Sequence, residues 1–167
     1  MVWPPFEEAL AWLAQACAEQ GLGGKTVAEA DLRVLLAAAG GRPRDVLDTL
    51  AQREAREAAA QWRALPQAVA QGQAAALADF GQAGAIAALQ KLCHDVWALK
   101  LGAEPRFFPA EALPAVAADR ERRGPTLYGL GQWAKELAAG ARSAEHPYNA
   151  GLMLEALVSR AQQALRG

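Results

Sequence analysis

Between residues 84 and 101 apolar positions follow helical spacing on two adjoining stripes. Leu89, Leu92, Val96 and Leu99 form one, and Ile86, Cys93, Trp97 and Leu101 the other. Gln90, Lys91, His94 and Asp95 leave only a narrow polar strip. A helix apolar around most of its circumference must be covered on several sides, so this pattern predicts the central post of a helical bundle. Gly102 can supply the left-handed residue that closes the helix, and Pro105 forbids its return.

Upstream, Pro5 followed by Phe6, Glu7 and Glu8 reads as a helix start. Proline is tolerated in a first turn, and carboxylates suit the positive end of the helix dipole. Phe6, Leu10, Leu13 and Cys17 form its buried stripe, and the glycines of residues 21–24 break it. Thr26 and Glu29 have the spacing of a capping box, predicting a second helix with Leu32, Leu35, Leu36 and Ala39 inward and Gly40 at its end. A third begins around Arg42-Pro43, with Val46, Leu47 and Leu50 on one face. Three short helices packed together are thus expected over residues 1–52, and a helical bundle over 53–167.

The bundle opens with a charged, alanine-rich connecting helix, whose large apolar residues are Trp62 and Leu65 and which Pro66 is expected to break or kink. Gly72 and Gly81 punctuate two weaker helical segments before the post. Beyond Pro109 a helix is expected with Pro114 as a kink or a fresh first-turn residue, its run 119–123 alternating in charge along a solvated face ahead of a partner-binding patch. Leu130, Ala134, Leu137 and Ala141, with Trp133 beside them, predict the next helix, opened by Pro125-Thr126. Leu154, Leu157, Val158, Ala161 and Leu165 predict the last, starting near His146-Pro147.

Composition supports an all-α chain: 53% of residues are apolar, only 7% aromatic, alanine is abundant and β-branched residues are sparse. A net charge of -1 argues against a dedicated nucleic-acid-binding module, which would carry a basic excess. Cys17 and Cys93 have no paired spacing, which suits a reduced, cytoplasmic setting. No apolar run reaches the ~18 to 20 residues that span a bilayer, so no membrane partner is expected.

Candidate chemistry is thin. Cys93 and His94 are neighbours, about 100° apart on a helix, and cannot chelate one ion without ligands from elsewhere. Gly24-Lys25-Thr26 matches the tail of a phosphate-binding loop, but Glu19 stands where that motif needs its first glycine, and a helix precedes it instead of a strand. Glu7 with Glu8 and Asp45 with Asp48 lie at helix starts, where the dipole accounts for them. No Ser-His-Asp set can be assembled, so neither catalytic residue, cofactor nor metal is expected.

The order of residues adds more. ALQKLCHDVWALKLGAEPRFFP resembles the core helix and exit loop of the C-terminal domain of delta-prime subunits of bacterial DNA polymerase III, which are AAA+ clamp-loader components. Residues 143–157 resemble the E-H-P-x-N-x-x-L-x-L-E-x-L signature of clamp-loader collar domains, and the Trp3-Pro4-Pro5 opening fits the same family. Gly40-Gly41-Arg42-Pro43-Arg44-Asp45-Val46-Leu47 resembles the start of the sensor-2 helix in AAA+ lid domains. The resemblance implies a three-helix lid (1–52) followed by a collar (53–167), with no counterpart of the first AAA+ domain, and therefore a fragment of a longer subunit.

It also implies a non-catalytic scaffold that packs with gamma/tau- and delta-type loader subunits and meets the sliding clamp and primed DNA only through the assembled loader. Arg44 is the position matching the family's phosphate-facing arginine; taken by itself it is an ordinary arginine at a helix start. Trp62, Trp133, Phe107 and Phe108 are expected in the core, ahead of any role at a partner surface. The competing expectation is a free-standing helical interaction module with no part in replication.

Overall fold

The computed structural model describes residues 5–114, 124–143 and 150–166. Among these the chain is all-α, with seven α-helices, two short 3-10 segments and no strand. Two compact units divide it: Met1–Arg63 with Arg106–Pro109, and Ala64–Pro105 with Ala110–Gly167.

The first unit is built on α1 (Phe6–Gln20), α2 (Glu29–Ala38) and α3 (Pro43–Leu50), each touching the other two. Leu10, Leu13 and Cys17 of α1 meet Leu32, Leu35 and Leu36 of α2 and Val46 and Leu50 of α3 in one core. Ala55, Ala58 and Ala59, from the start of α4 (Ala55–Ala70), complete it. The unit therefore ends after Arg63, past the expected border at 52. The small alanine face lets α4 lie close, and Arg63 reaches Asp31 of α2 at 2.9 Å.

One local expectation fails here. Thr26 and Glu29 form no capping box: α2 starts at Glu29 with Ala28 at its N-cap and no side-chain cap bond. Glu29 instead pairs with Arg33 at 3.2 Å. Of the break or kink expected at Pro66, the break does not occur: α4 continues to Ala70 with the proline inside it.

The second unit is organised around α5 (Gly81–Lys100), which contacts α6 (Leu127–Ser143), α7 (Ala150–Arg166) and the 3-10 segment Ala74–Phe80. Ile86, Leu89, Leu92, Cys93 and Val96 are buried, as the stripes require. α5 closes at Gly102 with φ 79°, where Ala103 N–H donates to the Ala98 carbonyl at 2.8 Å. That bond is the signature of a left-handed C-terminal closure, which glycine adopts without a Cβ clash.

The helix begins at Gly81, ahead of the expected residue 84. Asp95, expected on the polar strip, is 0% exposed, and Leu101, expected on an apolar stripe, is 64% exposed because it lies past the last helical turn. On α6 Leu130, Trp133 and Leu137 are buried, whereas Ala141 is exposed. Thr126 caps α6 by accepting the Gly129 N–H at 2.9 Å. Val158, Ala161 and Leu165 of α7 are buried, with Leu154 and Leu157 half-buried. The charge run 119–123, the expected helix start at His146-Pro147 and Trp3 lie outside the described residues.

Candidate functional site

The start of α3 carries the one residue that the sequence singles out. Gly40 and Gly41 both take positive φ, 67° and 82°, turning the chain sharply out of α2. Pro43 then occupies the first turn of α3, where its missing N–H costs nothing. Arg42 turns back: its Nε lies 3.0 Å from the Ala39 carbonyl at the end of α2 and 2.9 Å from Asp45 Oδ2. Arg44 is exposed and has neither ion pair nor hydrogen bond among the described residues.

Arg44 sits on the rim of an open cavity of about 520 Å³, lined by Glu8, Ala9 and Trp12 of α1 and by residues 42–45. Trp12 is 45% exposed. Sequence reasoning passed over it, although a signal was there: a tryptophan off the Leu10, Leu13 and Cys17 stripe of α1 has no core to enter. Asp45 neutralises Arg42, which leaves Glu8 and Arg44, of opposite sign, as the charges free to meet a ligand. The site can offer a flat apolar wall and one planar guanidinium fork, a fit for an oxyanion. It brings together no nucleophile with a base.

The remaining candidates are structural. Cys93 is buried, its Sγ lies 3.6 Å from the Leu130 carbonyl, and burial pushes the thiol up to about 12. Cys17 is buried too, and desolvation raises its thiol above the usual range. His94 is half exposed, with Nδ1 2.9 Å from Asp95 Oδ1. No group of three potential metal ligands occurs among the described residues. Thr26, at the end of the glycine loop, is exposed. Trp62, Trp133 and Phe108 are buried as expected of core residues, whereas Phe107 is half-buried. No described helix is long and apolar enough to cross a membrane.

Charge at the α1–α2 edge is organised by Arg33. It holds Glu7 at 2.6 and 3.1 Å and Glu29 at 3.2 Å, and lies over the Phe6 ring. The hydrogen bonds from Arg33 hold the Glu7 carboxyl below its ordinary value.

Compared with known proteins, the chain matches no family model, no curated protein and no solved structure.

Proposed function

We propose that this chain is a non-catalytic assembly scaffold in DNA replication, corresponding to the lid and collar of a clamp-loader subunit of the delta-prime kind. The observation that carries the reading is the fate of the stretch on which the resemblance rests. Leu89, Leu92, Cys93 and Val96 are the buried heart of the second unit, and Phe108 of the Arg106-Phe107-Phe108-Pro109 exit is buried. Motif residues with so much structural work are those a family resemblance would retain. The second unit also leaves Leu101, Leu127, Tyr128 and Leu152 exposed, apolar surface of the kind that side-by-side packing of subunits covers.

On this reading gamma/tau- and delta-type subunits are the direct partners. The sliding clamp and primed DNA are met through the assembled loader, in keeping with a net charge of -1. By the resemblance Arg44 is the arginine that would face nucleotide, but a lid alone cannot enclose one, so ATP turnover will stay at the level of a buffer blank. The decisive experiment mixes the purified chain with gamma/tau- and delta-type subunits and reads complex formation by size-exclusion chromatography with light scattering. A stable heteromeric complex is expected, weakened by Tyr128→Glu with helicity unchanged. A folded chain that elutes alone from every mixture would sink the proposal and leave the free-standing interaction module.

A further inference from the structure

We propose that residues 106–109 form a clasp that makes the stability of the first unit depend on the folding of the second. The chain departs from the second unit for these four residues and rejoins it at Ala110. In that short excursion it completes the first unit. Trp62 Nε1 donates to the Phe107 carbonyl at 2.9 Å, and the Phe108 ring stacks on the Trp62 indole at 4.3 Å between centroids and 4° between planes. The Phe107 ring lies beside Gly40, at the turn that launches α3, where a Cβ would meet its Cε1 at 3.6 Å. Trp62 and Phe108 are both buried.

The coupling follows from how the segment is held. On one side the chain comes from the closed end of α5, fixed by the Ala103 to Ala98 bond. On the other it enters the 3-10 turn Ala110–Ala112. A segment whose two ends are already positioned loses little entropy on docking. Once the second unit melts, the same four residues belong to a long free loop, and docking must also cover the cost of ordering it. The apolar cover over Trp62 is therefore strong only while the second unit is folded, which is a coupling free energy in the linkage sense.

Helix α4 also runs past the boundary at Arg63, but it is a poor carrier. Pro66 has no N–H for the carbonyl of Trp62, four residues back, so the helical ladder lacks a bond just where the boundary falls. The inference does not depend on the replication reading.

The test is pulsed hydrogen exchange with mass spectrometry on the whole chain across a urea series, following α1–α3 and α5–α6 peptides separately. Leu92→Ala removes a buried side chain of the second unit and should lower the α5–α6 midpoint by about 1 M or more. With the clasp intact, the α1–α3 midpoint should fall with it. In a Phe108→Ala background, Leu92→Ala should move the α5–α6 midpoint alone. If Phe108→Ala leaves α1–α3 unprotected without urea, Phe108→Leu, which loses the stacked ring and keeps part of the apolar cover, takes its place and should reduce the α1–α3 shift without abolishing it. An α1–α3 midpoint indifferent to Leu92→Ala in the wild-type background overturns the proposal. So does one that shifts equally after the clasp is cut, since α4 would then carry the coupling.

Discussion

The two units bury their apolar residues by different means. In the first, helices of 15, 10 and 8 residues share one core, and none is long enough to be stable by itself. Side chains also reach between its elements: Arg33 to Glu7, Arg63 to Asp31, Trp62 to the exit segment. In the second, one 20-residue helix is enclosed by α6, α7 and a 3-10 segment, and burial around its circumference does most of the holding. A core shared by short helices should readjust more readily after truncation than one around an enclosed post.

The contrast is most exposed at two leucines that are fully buried, Leu13 in α1 and Leu89 in α5. Each truncation to alanine is expected to cost about 2–5 kcal/mol, with Leu89→Ala nearer the top because walls on three sides keep the cavity open. Urea denaturation of both variants checks the order, and a larger loss for Leu13→Ala would break the comparison.

Next comes Asp95, the buried charged side chain recorded among the described residues. Replacing it by alanine strands the groups that its carboxylate satisfies, His94 Nδ1 among them, at a cost of roughly 1–3 kcal/mol. Asp95→Asn, which keeps one acceptor oxygen, should cost less; equal losses by thermal denaturation would show that the charge itself is what matters.

The caps sharpen the comparison further. Thr126→Ala in the second unit should cost about 1 kcal/mol by losing the Gly129 bond. Thr26→Ala in the first should stay within about 0.5 kcal/mol, since Thr26 makes no cap bond to α2. Equal losses would restore the capping box that the geometry denies.

The smallest effect is electrostatic and falls on the first unit. Because Arg33 depresses the Glu7 carboxyl in the folded state, the pair stabilises the fold at pH values above the ordinary carboxylate value of 4.5. That contribution disappears as the pH falls through the lower folded value. Glu7→Gln should flatten the acid side of a stability profile and leave the second unit's acid sensitivity untouched. An unchanged acid limb would remove Arg33 from the account.

How much could be read from residue order follows the same division. The post was legible because burial on all sides writes a dense pattern: Ile86, Leu89, Leu92, Cys93 and Val96 stand where helical spacing requires. Asp95 was misplaced because it was judged by residue type; its spacing, three after Leu92 and seven after Ala88, already put it among buried positions. The Thr26 and Glu29 box failed because motif spacing takes no account of rivals, and Arg33, one turn further on, claims the carboxylate. The docking of Phe107 and Phe108 on Trp62 spans 45 residues and leaves no local trace. Arg44 was found at the start of α3 as expected, but Trp12, which shares its cavity, belongs to another helix and becomes its neighbour only in three dimensions.

Each unit encloses a single sulfhydryl, Cys17 in one and Cys93 in the other. Burial raises both thiols, that of Cys93 to about 12, so alkylating dyes meet little thiolate on either in the folded protein. One cysteine introduced on either surface would then accept a spectroscopic label cleanly, without the native pair first being removed.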